Sequence, residues 1–245
     1  MIILKILAII PARGRSKGLK NKNILPLLGH PLIAYSIKAG LDSERINRVI
    51  VSTDSEEIAN VAKNYGAEVP FMRPAEFAQD MSTDMEVFIH VFDWLKKNEN
   101  YVPDIIVQLR PTSPVRSSKE IDLCIDKLVS SDADSLRIVT PAPCTPYKMW
   151  AVNADTELMQ PLLTLKDIKE PYNEPRQRLP KVYWQVGILD VIKTSTILDK
   201  KSLSGDKILS HIVANELSVD IDDIHSFTKA AEVISKNDCV KFDSE

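Results

Sequence analysis

The sequence predicts an α/β fold in which a mostly parallel sheet carries helices on both of its faces. Apolar, β-rich runs without polar alternation are typical of strands buried on both faces, and residues 6–10 form such a run. Segments with helical periodicity follow these runs in turn, which is the pattern of doubly wound sheets. The chain has 245 residues, 44% of them hydrophobic and 27% charged, so we expect a single domain over residues 1–245.

Strands and helices are expected in alternation along the chain. Strands are predicted at residues 6–10, 48–52, 68–71, 104–109 and 135–140, with further ordered structure at 181–189 and 217–221. Helices are predicted at residues 31–39, 54–66, 87–95, 121–128 and 226–234. Gly40 would end the first helix, and Asp54 with Glu57 resembles a capping box that starts the second.

Residues 141–180 depart from this alternation. Prolines recur throughout the segment and interrupt any helical or strand pattern. A long irregular stretch inside a compact domain is usually functional or makes contacts with a partner. We therefore expect an arm that serves an interface or a binding site.

Composition argues against several classes of protein. A net charge of −3 and a pI near 5.9 speak against a nucleic-acid-binding surface. The three cysteines are widely spaced without a CxxC pair, so a zinc site or disulfide framework is not expected. The apolar N-terminal run is broken by Lys5 and no run reaches the ~18 apolar residues of a membrane span. We expect a cytoplasmic protein with no membrane segment.

The loop after the first strand has the chemistry of a phosphate site. It carries the cations Arg13, Arg15, Lys17, Lys20 and Lys22, with Gly14 and Gly18 among them. Glycines let backbone amides turn toward an anion, and the cations neutralise it. Neither GxxxxGK[ST] nor GxGxxG occurs there. A nucleoside triphosphate fits this loop, although composition alone equally allows a solvated basic loop.

Several motifs together resemble one enzyme family. They are IPARGRSKGL at residues 10–19 with Lys22-Asn23, VSTD at 51–54, RPAEFAQD at 73–80, PTSPVR at 111–116, PRQRLP at 175–180 and SVDID at 218–222. This set is similar to that of the acylneuraminate cytidylyltransferases, or CMP-sialic acid synthetases. The resemblance implies a Rossmann-like sheet of the nucleotide-diphospho-sugar transferase type with a dimerisation insertion, and an enzyme that uses CTP, Mg²⁺ and an acidic sugar.

The resemblance also implies roles in nucleotide binding. Phosphate ligands would be Arg13, Ser16, Lys17 and Lys22, and the residues near cytosine would be Asn23, Arg73, Asp80 and Ser82. Arg13, Lys17 and Asp222 would act in catalysis. Asp220 and Asp222 stand two apart on an expected strand end, where alternation gives them the same face, and two carboxylates there suit magnesium. The alternative is that they cap the following helix, a task that Asp223 is also placed to perform.

Acceptor binding is implied for a further group of residues, namely Arg110, Thr112, Ser113, Lys148, Arg176 and Gln185. Arg176 matches the anchor for the carboxylate of an α-keto acid sugar. Lys148 matches a lysine that crosses a dimer interface, so residues 141–180 would be the dimerisation arm of a homodimer or tetramer; an ordinary exposed lysine is the alternative.

Three positions depart from the family pattern. Arg110 replaces a glutamine beside the sugar, where it would either meet an acidic group or pair with a nearby carboxylate. Trp184 and Val186 replace an arginine and an asparagine, and either Gln185 compensates or Trp184 stacks on the sugar. The expected acceptor is therefore a nonulosonic or related ulosonic acid in general.

The expected reaction is attack of the anomeric hydroxyl on the α-phosphorus of CTP with release of pyrophosphate. Positioning and charge neutralisation would supply most of the catalysis. The general base is left open between Asp222 and a metal-bound hydroxide. The rival hypotheses are a UTP- or GTP-dependent transferase acting on sugar 1-phosphates and a non-catalytic nucleotide-binding protein.

Overall fold

The computed structural model describes residues 4–15 and 18–242. The strands of these ranges are β1 Ile6–Pro11, β2 Pro26–Leu27, β3 His30–Pro31, β4 Arg48–Ser52, β5 Ile105–Gln108, β6 Ser135–Pro141, β7 Trp150–Val152, β8 Met159–Pro161, β9 Tyr183–Lys193 and β10 Ile208–Ile212. The α-helices are α1 Leu32–Leu41, α2 Glu56–Asn64, α3 Asp84–Glu99, α4 Ser118–Val129, α5 Thr194–Leu198 and α6 Ile224–Lys236.

The main sheet confirms the expectation of a mostly parallel arrangement. Its strand order within the described ranges is β10-β6-β9-β5-β1-β4. β1 runs parallel to β4 and β5, and β6 runs parallel to β10. β9 is antiparallel to both β5 and β6. The remaining five strands of this sheet therefore all run in the same direction. The carboxyl ends of those strands therefore meet at one edge, where ligands bind in sheets of this kind.

Helices cover both faces of the sheet. Alternate residues of β1 point to opposite faces: Ala8 and Ile10 pack in one buried cluster with Ile33 of α1, and Leu7 and Ile9 pack in another with residues of α3. Side chains of both clusters are excluded from water, which explains why β1 shows no polar alternation. None of the helices in the described part of the chain is long and apolar enough to cross a membrane.

Local departures from the expected elements have physical causes. Residues 68–71 form a single bridge from Glu68 to Ile50 instead of a strand, because Pro70 lacks a backbone N–H for the ladder. Gly40 lies inside α1, where a Cβ would come within 2.9 Å of Val49 Cγ2. It is thus a packing glycine and does not end the helix. Residues 217–221, where ordered structure was expected, contain no strand. Conversely, β10 is an edge strand that the sequence did not predict.

The start of α2 also differs from the prediction. Ser55 is the N-cap, and its side chain accepts a hydrogen bond from the Ile58 N–H. Asp54 instead accepts one from the Gly14 N–H at 2.7 Å. The carboxylate expected to cap the helix therefore holds the loop that follows β1.

Residues 141–180 leave the sheet as an exposed arm. The arm contains the β7–β8 hairpin and short 3₁₀ turns at its prolines. Its apolar side chains are largely exposed, with Val152 62%, Leu158 69% and Met159 57% accessible. Apolar side chains clustered in this way are typical of a surface that meets another protein.

Candidate active site

A cavity of about 420 Å³ opens at the carboxyl edge of the sheet. Its walls come from the ends of β1 and β5, the start of α3 and the loop before α6. We call it the nucleotide cavity because it gathers residues predicted to bind the nucleotide. It is lined by Pro11, Arg13, Gly18, Lys22, Asn23, Arg73, Phe77, Ala78, Gln79, Asp80, Ser82, Asp84, Val87, Arg110, Pro111, Thr112 and Asp222. Most residues expected to bind the nucleotide therefore lie together; Ser16 and Lys17 fall outside the described residues.

Arg13 is held at the cavity by polar contacts on two sides. Its Nη1 donates to Asp80 Oδ1 at 2.9 Å, and its backbone carbonyl accepts from Asn23 Nδ2 at 3.0 Å. The adjacent Gly14 N–H is fixed on Asp54. These contacts give the loop after β1 a defined path, and they leave the Arg13 side chain about one-third exposed toward the cavity.

Lys22 joins the basic loop to the segment that carries the predicted metal ligands. Its Nζ donates to the Ile221 carbonyl at 2.5 Å and to Asp222 Oδ1 at 3.3 Å. The lysine side chain is 11% exposed and that of Asp222 is 82% exposed. A Cβ on Gly18 would lie only 2.3 Å from the Asp222 carbonyl oxygen, so glycine permits this close approach.

Arg73 is buried and builds the wall of the cavity. Its guanidinium donates to the Ser52 hydroxyl and carbonyl and to the Phe77 carbonyl. Burial lowers the pKa of Arg73 to about 10, although the charges of Asp54 and Asp84 oppose this. Ser82 fixes the adjoining turn, because its hydroxyl accepts from the Gln79 N–H at 2.9 Å. Both residues thus shape the site predicted for cytosine.

The segment with Asp220 and Asp222 is irregular, so the expected strand end there is wrong. Only Asp222 lines the nucleotide cavity, while Asp220 Oδ1 accepts from Ser113 Oγ at 3.3 Å. Asp223 is the N-cap of α6 and forms a capping box with Ser226. Neither Asp220 nor Asp222 is the cap. No group of three His, Cys, Asp or Glu side chains suited to a metal was found among the described residues.

A second, smaller cavity of about 170 Å³ lies beside the nucleotide cavity. It is lined by Ser113, Trp184, Gln185, Val186, Gly187, Ile188, Ser218, Val219 and Asp220. Thr112 lines the nucleotide cavity and the next residue, Ser113, lines the second. Of the residues expected to bind the acceptor, Ser113 and Gln185 lie in this second cavity, which we call the acceptor cavity after that prediction. Trp184 is 59% exposed at its mouth.

Arg110 pairs with carboxylates, which is one of the two alternatives that the sequence left open. Its Nη1 lies 2.8 Å from Asp190 Oδ2 and its Nη2 lies 2.9 Å from Asp84 Oδ2. Burial alone would lower the pKa of Arg110, but the charges of Asp190 and Asp84 raise it above its usual value. The side chain remains part of the nucleotide cavity wall.

Lys148 and Arg176 are not among the residues that line the nucleotide cavity or the acceptor cavity. Lys148 is exposed on the arm. Arg176 donates to the carbonyls of Ala142 and Pro143 and lines a separate cavity at the base of the arm. A single chain therefore does not bring the predicted carboxylate anchor to the predicted nucleotide site.

The sequence analysis predicted no role for several residues that contribute to the site. Arg116 is fully buried and donates to the carbonyls of Arg110 and Ser113, which fixes the loop between the two cavities. Asp84 and Asp190 hold Arg110. A signal existed for Asp190, because a charged residue inside the apolar run of β9 is rarely buried unless it is paired.

Comparison with known proteins supports the family resemblance that the sequence motifs indicated. The sequence model of a family described as cytidylyltransferase matches residues 7–177. The chain is 33% identical over 242 residues to N-acylneuraminate cytidylyltransferase of Escherichia coli. This alignment covers 98% of this chain and 54% of that protein. It is also 33% identical over 222 residues to CMP-N,N'-diacetyllegionaminic acid synthase of Legionella pneumophila, covering 89% and 90% of the two chains.

A solved structure shares the fold. A CMP:2-keto-3-deoxy-manno-octonic acid synthetase complexed with CTP aligns with a TM-score of 0.68 at 15% identity, over 95% of this chain and 99% of that one. The chain spans about half the length of the Escherichia coli relative and nine-tenths of the Legionella one. The expected fold and enzyme class are confirmed, and the chain belongs to the cytidylyltransferase family.

Proposed function

We propose that this chain transfers CMP from CTP to the anomeric hydroxyl of a sialic-acid-like nonulosonic acid and releases pyrophosphate. The observation that carries the proposal is the nucleotide cavity, where Arg13, Lys22, Asn23 and Asp222 meet at the carboxyl edge of the sheet. Two relatives at 33% identity are named for nonulosonic acids, which supports the same class of acceptor. CTP is an intracellular substrate, and we place the activity in the cytoplasm.

The chemistry is an in-line displacement at phosphorus. The acceptor oxygen bonds to the α-phosphorus as the bond from that phosphorus to the bridging oxygen breaks, and pyrophosphate leaves with the electron pair. Arg13 and Lys22 lie on the cavity wall as fixed cations. They neutralise charge that grows on the phosphate oxygens, which lowers the barrier without reorganisation during the reaction.

The donor set at residues 220–222 fits magnesium. Asp222 is an exposed hard-oxygen ligand on the cavity wall, and Asp220 is two residues away. Magnesium is commonly held by one or two carboxylates together with substrate phosphates and water, so a larger protein cluster is not needed. Bound there, it would supply further charge neutralisation at the phosphates.

We propose a homodimer in which the arm of each chain completes the acceptor site of its partner, although a tetramer built from such dimers is equally compatible. Support comes from the exposed apolar side chains of the arm, including Leu158 and Met159. It also comes from the separation of Arg176 and Lys148 from the nucleotide cavity and the acceptor cavity of their own chain. An arm that crosses to the partner would bring these cations to the acceptor carboxylate.

The test is pyrophosphate release, with CTP, UTP, GTP and ATP each crossed against a panel of nonulosonic and ulosonic acids. We expect release with CTP and one class of acid, and loss of release when EDTA removes magnesium. Release only with UTP or GTP and a sugar 1-phosphate would instead establish the rival transferase. CTP binding without turnover on any acid would favour the non-catalytic hypothesis.

A further inference from the structure

A buried carboxylate lies behind the reacting edge of the site. Asp190 of β9 is fully buried, and its Oδ2 pairs with the guanidinium groups of Arg110 and Arg137. Arg137 is fixed independently, because it also donates to the Leu203 carbonyl and the Ser204 hydroxyl. A buried charge is tolerated only when it is paired, and the two cations meet this requirement.

Two buried polar atoms in and beside this cluster of Asp190, Arg110 and Arg137 have no hydrogen-bond partner in the described part of the chain. Gln108 of β5 is the cross-strand partner of Asp190, and its Oε1 accepts from Arg110 Nη2 at 3.0 Å. Gln108 Nε2 and Asp190 Oδ1 are buried without a hydrogen-bond partner among the described residues. A sheet interior that carries such polar atoms on adjacent strands is costly for folding alone, which points to a functional reason for keeping them.

The guanidinium that these groups hold lies where the two cavities adjoin. Arg110 lines the nucleotide cavity. A Cβ on Gly187, which lines the acceptor cavity, would lie 3.5 Å from Arg110 Cδ and 2.9 Å from Ser113 Oγ. On the side of the nucleotide cavity, Asp84 Oδ2 lies 2.9 Å from Arg110 Nη2. Arg110 is thus clamped between carboxylates at the boundary that the acceptor hydroxyl must reach.

We infer that Asp190 is a positioning residue, which fixes the Arg110 guanidinium so that its remaining N–H groups face the acceptor. With two carboxylates neutralising it, Arg110 acts as a hydrogen-bond donor of fixed direction and not as a free cation. The inference rests on the proposed function and extends it to a residue that touches neither cavity.

A double-mutant cycle tests this inference through Asp190→Asn, Arg110→Gln and the double variant. Each single change should raise the acceptor KM roughly tenfold or more, the loss expected from one charge-assisted hydrogen bond. Because Asp190 lines neither cavity, the CTP KM of Asp190→Asn should stay within about twofold. If Asp190 acts through Arg110, Asp190→Asn should add little in the Arg110→Gln background. Equal losses in both backgrounds, or an unchanged acceptor KM in Asp190→Asn, would overturn the inference.

Two further variants separate positioning from folding. Asp134→Asn removes another ion-paired carboxylate, which contacts Lys200 away from both cavities, and it should lower thermal stability without changing the acceptor KM. Arg110→Lys keeps the charge without the planar fork and decides the matter if Asp190→Asn does not fold. A raised acceptor KM in that variant supports positioning, and a normal one refutes it. Absence of turnover in the unmodified enzyme would instead count against the proposed function.

Discussion

Lys22 and Asp222 form the contact in which the basic loop meets the predicted metal segment. The lysine side chain is 11% exposed and the aspartate side chain 82%, so the aspartate presents more of its surface to a ligand, although both residues line the nucleotide cavity. Its neighbour Asp223 is occupied as the cap of α6. The structure therefore gives the cap to Asp223 and leaves Asp222 on the cavity wall, a division that the sequence alone left open.

This division predicts different outcomes for two matched substitutions. Asp222→Asn should reduce turnover by roughly a hundredfold or more while the fold is kept, because it would weaken the binding of the proposed magnesium, whose positive charge would offset that of the phosphates. Asp223→Asn preserves a good cap and should leave turnover nearly unchanged. Steady-state pyrophosphate release and thermal melting measure both effects. Near-normal turnover in Asp222→Asn would contradict the metal assignment.

Gly18 allows a second prediction for the same contact. Gly18→Ala would place a Cβ 2.3 Å from the Asp222 carbonyl oxygen, so the loop or the metal segment must move and the CTP KM should rise. Gly29→Ala is the control, because its φ of 87° strains alanine although no atom lies within 4 Å of the new Cβ. The control should melt at a lower temperature with an unchanged CTP KM. Equal CTP KM values in both variants would argue against a role for the Gly18 contact.

At the scale of elements, the start of α2 shows that neighbouring polar residues divide helix capping and loop fixation. Ser55→Ala should destabilise the protein by about 1 kcal/mol, the usual loss for a helix cap, with little effect on CTP binding. Asp54→Ala frees the Gly14 N–H that it holds at 2.7 Å, so the CTP KM should rise. Chemical denaturation and CTP titration separate the two effects. A raised CTP KM in Ser55→Ala alone would reverse this assignment.

The same region shows which parts of the fold could be predicted from the sequence and which could not. Buried strands and long helices were predictable because their apolar periodicity is strong, as in β1 and α3. The cap of α2 was not, because Asp54 and Ser55 are both good caps and a contact with Gly14, forty residues away, decides between them. The edge strand β10 has only five residues, two of them polar, so its pattern is weak.

For the site, sequence motifs identified the residues that gather around the nucleotide cavity, such as Arg13, Lys22 and Arg73. Their loops follow parallel strands, whose ends must meet at one edge of the sheet. Asp190 was missed because its ion-pair partners come from β6 and from the loop after β5, and a single sequence does not reveal which strands are neighbours. Lys148 and Arg176 lie away from both cavities within one chain, which is the separation expected if they serve a partner.

At the scale of the whole molecule, the sheet gathers the nucleotide site at one edge while the arm extends away from the core. The arm is exposed along most of its length, although it carries apolar side chains such as Leu158 and Met159. The predicted carboxylate anchor belongs to the arm, and in the proposed homodimer it serves the acceptor site of the partner chain. Oligomeric state and activity should therefore be lost together when the arm is altered.

Subunit complementation tests this arrangement. Chains with Asp222→Asn and chains with Lys148→Ala, carrying different affinity tags, are co-expressed, and the mixed dimer is purified through both tags. If Lys148 serves the partner's site, one site of the mixed dimer carries both defects and the other carries neither, so about half of the wild-type activity should return. Each variant alone should be nearly inactive, which is the matched control. A mixed dimer as inactive as its parents, or a monomer by light scattering, would show that Lys148 does not act across an interface.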